Sequence, residues 1–258
     1  MRTVQRSQNP GGGARGRREG YARPDPNVKV ALFQYPASDK KNVKPRCTVP
    51  TTGVNGIGMD AAGTLWVPQP GSGTVANKVL TFLPGCKLQS LALTNTTGQP
   101  SDIAFDSTKT AFVVDIVGTP STSPGLIDVY PAGHTTPTRQ LKNSLIFHAL
   151  GIAIDKRNNV HLAFTDASSV GHVVKFAKGK GTGTLLNLTG LALPIGLEFD
   201  GSQNLIVTDL GAGAELIYAP PYSRRPNFNA HQQGCVGRRE AEQDKHAAVC
   251  QRRDERSG

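Results

Sequence analysis

One sentence is written four times along this chain, and it fixes the kind of fold open to it. Residues 150–166 read Leu-Gly-Ile-Ala-Ile-Asp-Lys-Arg-Asn-Asn-Val-His-Leu-Ala-Phe-Thr-Asp. With period two this is a short apolar strand, a polar turn over residues 155–159, and a second strand. A second copy is Asn55-Gly56-Ile57-Gly58-Met59-Asp60, running on to Leu65-Trp66-Val67. A third is Ser101-Asp102-Ile103-Ala104-Phe105-Asp106, running on to Ala111-Phe112-Val113-Val114-Asp115. The last is Ile195-Gly196-Leu197-Glu198-Phe199-Asp200, running on to Leu205-Ile206-Val207-Thr208-Asp209. The turn aspartates Asp60, Asp106, Asp155 and Asp200 follow one another at 46, 49 and 45 residues by subtraction. Strand-built repeats of about 40–50 residues are the signature of propeller blades.

Between these copies lie further strands that end in an aromatic residue and a Pro or Gly turn. Lys78-Val79-Leu80-Thr81-Phe82-Leu83-Pro84-Gly85 and Leu126-Ile127-Asp128-Val129-Tyr130-Pro131-Ala132-Gly133 are two of them. Such spacing makes about four strands per unit, and no helical apolar period separates them, which argues against βαβ units. The expected fold is an all-β propeller with four recognisable four-stranded blades plus a partial fifth that ends at Tyr218. Rings close with four to eight blades, so four or five suffice as written. The pattern stops inside a unit, however, which points to a six-bladed ring cut short.

The formal charge of +10 suggests a polyanion partner until it is located. Residues 1–27 carry six arginines against Glu19 and Asp25, and residues 221–258 carry eight Lys/Arg against five acids. The repeats between them carry fifteen against twelve, so +4 and +3 of the excess sit in the ends and only +3 in the repeats. Nucleic acid is therefore not the expected partner, because only the tails would serve it. Three segments follow: a disordered basic extension (1–27), the repeat domain (28–220), and a polar basic tail (221–258), disordered or a short helix without an apolar stripe. No run approaches the roughly 18 apolar residues of a membrane span. The N-terminus as written is no secretory signal, and an extracytoplasmic site would require a different start. Cys47 and Cys86 fall in neighbouring repeats and would pair in an exported protein; otherwise they are unrelated thiols, the reading preferred here.

The four Gly-Ile-Ala-Ile-Asp units resemble the repeats of the NHL and SMP-30/gluconolactonase-like β-propellers, over about 190 residues from 28 to 218. The resemblance implies a propeller fold and leaves the activity open, since such folds host binding modules, lactonases and lyases alike. Gluconolactonase-like enzymes hold a divalent metal at the ring centre with Glu, Asn and Asp ligands, one Asn preceding the Gly of the inner strand. Here that position reads Asn55, Asp102 (or Ser101), Leu150 and Ile195, and only Asn55 matches well. Streptogramin lyases, which the chain also resembles, end blades in Trp-Phe-Thr-Glu. The ends here read Gln69, Asp115, Asp166 and Asp209, so neither catalytic set carries over.

Four turn aspartates at one position in every repeat read as structure, since a single active site needs each group once. Asp115, Asp166 and Asp209 close second strands and, with Asn55, form the candidate metal set. His148 is the candidate general base by position. Glu198 stands where the other units carry Gly58, Ala104 and Ala153, and such breaks of a local rule concentrate at functional sites. The expectation is a non-catalytic, monomeric propeller that binds a protein or small-molecule ligand on a ring face. Its alternative is a metal-dependent lactonase-like hydrolase or lyase using His148 and Glu198. A divalent cation such as Ca²⁺ or Mg²⁺ belongs to that alternative alone.

Overall fold

The computed structural model describes residues 20–25, 29–34, 47–50, 56–71, 77–89, 93–94, 97–117 and 125–222. Residues 1–19, Asn55, Cys235, Cys250 and the tail beyond Tyr222 lie outside them. The described chain forms five antiparallel sheets in sequence order. β1 (Gly20–Asp25), β2 (Lys29–Gln34) and β3 (Cys47–Pro50) make the first. The second is β4 (Gly58–Met59), β5 (Leu65–Gln69), β6 (Lys78–Leu83) and β7 (Lys87–Leu88). The third is β8 (Gln99–Phe105), β9 (Ala111–Ile116), β10 (Leu126–Tyr130) and β11 (Arg139–Leu141). The fourth is β12 (His148–Ile154), β13 (Val160–Thr165), β14 (Gly171–Phe176) and β15 (Thr184–Leu185). The fifth holds β16 (Pro194–Phe199), β17 (Leu205–Asp209) and β18 (Ala214–Tyr218).

Apolar layers between successive sheets hold this stack together. Val49 meets Ile57, Leu65 and Phe82 between the first two sheets. Val79 and Leu93 meet Ile103, Val113 and Tyr130 between the next two. Phe112 and Ile127 meet Leu162, Phe164 and Phe176 across the third interval, and Ala163 and Val173 meet Leu197, Val207 and Tyr218 across the fourth. Strand β13 is buried at every residue because both its faces are covered, which erases the polar alternation of a half-exposed strand. Each large side chain fully buried in such a layer contributes about 1.5–3 kcal/mol. Successive sheets touch through their opening strands, β4 with β8, β8 with β12 and β12 with β16. That is the packing of propeller blades around an axis.

The sequence expectation is met in kind and corrected in detail. Each of the last four sheets opens with the Gly-Ile-Ala-Ile-Asp strand, so a structural blade starts there and not at the strand beginning near residue 28. β1 falls inside residues 1–27, a segment whose composition gives no strand. Pairing with β2, from Tyr21 opposite Phe33 to Asp25 opposite Lys29, supplies the ladder that the composition does not reveal. Pro24 is tolerated there because β1 is the outer strand of its sheet.

The turn aspartates are structural, and among the described residues there are five of one kind. In each, Asp(i) pairs through its backbone with residue i+4, and residue i+3 is left-handed: Gly63, Lys109, Asn158, Ser169 and Gln203. This is a three-residue hairpin loop with a bulge. The aspartate Oδ1 accepts the backbone N–H of residue i+4 in every case, at 2.8–2.9 Å. The fifth member is Asp166, which the sequence grouped with Asp115 and Asp209.

Cys47 and Cys86 are joined in a disulfide with their Cα atoms 6.1 Å apart, which overturns the reading as unrelated thiols. The link ties β3 to the β6–β7 turn, and so the first sheet to the second. Sequence spacing could not show it, because the two residues meet only when the sheets stack.

Candidate functional site

The opening strands carry the groups nearest the axis, and β8, β12 and β16 each bulge at one residue. The register slips between Pro100 and Asp102, between Ala149 and Gly151, and between Pro194 and Gly196. The bulged residues are therefore Ser101, Leu150 and Ile195, which settles the ambiguity between Ser101 and Asp102. Ser101 is buried and its hydroxyl points to the carbonyls of Val114 and Leu150, both at 3.4 Å. Leu150 and Ile195 are aliphatic.

Asp102 instead occupies the position that Gly56, Gly151 and Gly196 fill in the other sheets. Glycine is needed there because neighbouring opening strands nearly touch: a Cβ on Gly151 would lie 2.8 Å from Gly196 Cα and 2.9 Å from the Ile195 carbonyl oxygen. The Asp102 side chain fits only because Gly56 leaves room; a Cβ on Gly56 would collide with its carboxylate. Its Oδ1 accepts the N–H of Ile103 at 2.9 Å, and its Oδ2 accepts the N–H of Ile152, in the next sheet, at 3.0 Å. This buried carboxylate cross-links blades.

At the ends of the second strands, ladder register makes Gln69, Asp115, Phe164 and Asp209 equivalent. Asp166 is two residues further on, in its turn. Its Oδ2 lies 2.9 Å from His172 Nε2, and hydrogen bonds from that ring and from Val170 N–H hold its pKa below the usual carboxylate value. Asp209 is buried and accepts three backbone N–H groups, those of Ala192, Leu193 and Ala212, at 2.8–3.0 Å. It clamps the loops that flank the fifth sheet.

Asp115 has the most unusual chemistry in the described chain. It is fully buried, and neither of its oxygens reaches a hydrogen-bond donor in good geometry. Its diagonal neighbour on β10, where Leu126 stands directly opposite it, is Asp128, also fully buried, which accepts Thr97 N–H at 3.1 Å, Thr97 Oγ1–H at 3.0 Å and Gln140 Nε2–H at 2.9 Å. Burial first, and then the Asp128 carboxylate, push the Asp115 pKa up to about 9, the Thr97 N–H offsetting this only in part. Two carboxyls this close in an apolar layer cannot both ionise. Asp115 therefore keeps its proton. Tyr130, whose buried hydroxyl is also without a partner, is raised well above the usual phenol range by burial and then by the same two acids. Shut away from solvent, the cluster can hold a proton but cannot meet a substrate.

His148 opens β12 opposite Thr165 and is partly exposed; burial lowers its pKa, so it is neutral at pH 7. Glu198 stands level with Ala153, and its strand neighbours Leu197 and Phe199 face the fourth sheet, so it projects from the opposite face. About four residue steps separate that level from His148, roughly 13 Å of strand, too far for the two to act on one atom. His161 is fully buried. Its Nε2 lies 3.4 Å from Asp155 Oδ2, its ring meets Phe199 edge-on at 4.9 Å, and its Nδ1 has no partner. Burial lowers its pKa and keeps the ring neutral. Asp155 is driven the other way: burial opposes, but donors from His161, Asn159 and Arg157 bring it to about 2.

Among the described residues no three His, Cys, Asp or Glu side chains converge on a point that could hold a metal ion. Asp115, Asp166 and Asp209 each answer to different partners, and Asn55 lies outside the described residues. The sequence could have flagged Asp102, which breaks a glycine position. Asp128, Thr97 and Gln140 give no local signal, because they meet only across the ladder.

No protein-family model and no curated protein matches this sequence. Solved structures do match. The "Structure of Dos1 propeller" superposes with a TM-score of 0.54 at 9% identity, covering 80% of this chain and 54% of that one. XC5397 from Xanthomonas campestris, described as a gluconolactonase important in glucose secondary metabolic pathways, superposes with a TM-score of 0.58 at 11% identity, covering 81% of this chain and 71% of that one. The chain thus spans about half the length of the Dos1 propeller. These likenesses establish a β-propeller with a gluconolactonase-like neighbour; they do not extend to the NHL repeat.

Proposed function

We propose that the chain is a non-catalytic β-propeller that presents a face of its stacked sheets to a ligand or partner. The observation that supports this reading is the chemistry of the opening strands. A hard divalent cation takes six or more oxygens. The bulged positions nearest the axis offer one buried hydroxyl, on Ser101, and two aliphatic chains, on Leu150 and Ile195. The buried carboxylates Asp102 and Asp209 are committed to backbone N–H groups. These residues do not fit a central Ca²⁺ or Mg²⁺. Likeness to a gluconolactonase fold favours one other reading, a metal-dependent lactone hydrolase or lyase with its site at the central cavity.

The two separate in one experiment on the full chain. Thermal unfolding is followed with Ca²⁺, Mg²⁺, Mn²⁺ or Zn²⁺ against a chelator, alongside gluconolactone hydrolysis. A cation at 100 times its Kd would stabilise the native state by about 2.7 kcal/mol, several degrees in melting temperature. The expected outcome is a cooperative transition that no cation moves, with no lactone turnover above background. One cation that raises the midpoint and supports turnover overturns the proposal.

A further inference from the structure

Antiparallel alternation brings the β8–β9 turn, the β12–β13 turn and the 3-10 turn Ala177–Gly179 to the same end of their sheets. Hydrogen bonds join them into one surface. Asn158 Oδ1 accepts Ser107 N–H at 3.2 Å, and Asn158 Nδ2–H donates to Ser107 Oγ at 2.7 Å. Lys178 N–H donates to Asn159 Oδ1 at 3.1 Å, and Arg139 Nη1–H to the Gly179 carbonyl at 2.6 Å. Lys109, Arg139, Lys156, Arg157, Lys178 and Lys180 are all exposed on this surface. Its acids are Asp106, Asp155 and, in the adjoining turn, Asp200, each bound into its own turn by backbone N–H groups. Among the described residues every charge pair within 4 Å is between His and Asp; no Lys or Arg is neutralised by a carboxylate.

Two of these cations stand where turn stability alone would not put them. Lys109 and Lys178 are left-handed, with φ of 65° and 48°. Glycine or asparagine adopts that conformation at lower cost, and the turn position of Lys109 is held in the other hairpin loops by Gly63, Asn158, Ser169 and Gln203. Backbone strain of this kind persists where a side chain is needed for something else.

We infer that this surface docks an acidic polysaccharide, a carboxylate-bearing polyuronate. The inference rests on the reading of the chain as a binding propeller and names its face and partner. Charge complementarity selects a polyanion. Four of the six cations are lysines, compact point charges that suit a chain of separated anionic groups rather than one planar bidentate site. The three turns contain no aromatic residue on which bases could stack, which disfavours single-stranded nucleic acid. The Cys47–Cys86 disulfide suits an oxidising compartment rather than the cytosol or nucleus, where nucleic acid is held.

The test uses the full chain and polygalacturonate, with duplex DNA as the competing polyanion. Binding is compared for the native protein, a face variant (K109Q/K156Q/R157Q/K178Q/K180Q) and a tail variant (R15Q/R17Q/R18Q). All five face side chains are exposed, and circular dichroism of the variant checks that the fold is intact. Expected are native binding that weakens at least about tenfold between roughly 50 and 200 mM salt, a further loss of about tenfold or more in the face variant, and none in the tail variant. Equal affinity of face variant and native protein, loss in the tail variant, or tenfold preference for DNA overturns the inference. So does the absence of polygalacturonate binding. The binding-propeller reading stands or falls separately, on cation stabilisation and lactone turnover.

Discussion

Replacing Asp115 by Asn should make the protein more stable at neutral pH and change how its stability depends on pH. In the native state Asp115 holds its proton up to about pH 9, whereas in the unfolded chain it titrates near the ordinary aspartate value of 3.8. The folded pKa is raised, so the contribution is fully present below about pH 4 and is lost progressively as pH rises toward 9. By pH 7 the native state must retain a proton that the unfolded chain has released over roughly three pH units. At about 1.4 kcal/mol per unit this is about 4 kcal/mol, against a total of about 5–15 for a typical domain. Asparagine has the same shape, offers an N–H toward Asp128 and needs no proton. Urea denaturation of both proteins at pH 5, 6, 7 and 8 reads the effect. The native protein should lose about 1.4 kcal/mol per unit relative to Asp115→Asn, with the variant the more stable above pH 6. Parallel lines across that range would mean that Asp115 is ionised in the fold, and the acid-pair account would be abandoned.

Three further perturbations test the frame around the site. Cys47→Ser with Cys86→Ser, or reduction of the native protein, should lower stability by about 2–4 kcal/mol through the closed loop of 39-residue separation, read as a fall in denaturation midpoint. Gly151→Ala should cost about 1–3 kcal/mol, since its Cβ would press on Gly196 and the Ile195 carbonyl, whereas alanine at the open Gly201 should be nearly neutral. Asp102→Ala should cost about 2–5 kcal/mol by stranding the buried N–H groups of Ile103 and Ile152, and hydrogen exchange at Ile152 should accelerate.

The repeated turns were open to reading from the sequence, because their physics is local. An aspartate that caps the N–H group four residues on needs nothing beyond its own loop, and so Asp60, Asp106, Asp155 and Asp200 read as structure and are structure. The period, the strand count per sheet and the propeller architecture followed from the same regularity. Asp166 escaped because two patterns overlap there: it ends the strand-like run of residues 160–166 and also begins the next hairpin loop. Only the ladder, which aligns Phe164 with Asp115 and Asp209, separates the two.

What tertiary structure alone decided was which residues meet. Bulges in β8, β12 and β16 determine that Ser101 lies at the bulge and Asp102 against the glycines, and a bulge is a shift of register between two strands. Asp115 looks like any strand-ending acid until β10 brings Asp128 alongside it in a layer without water, and burial then does what composition cannot foretell. The Cys47–Cys86 bond and the basic surface around Lys109, Lys156 and Lys178 likewise join segments far apart in sequence. Local hydrogen bonding and period are written residue by residue, so the chain carried its fold in its text. Charge, desolvation and covalent pairing depend on neighbours supplied by other sheets, and they exist only once the sheets have stacked.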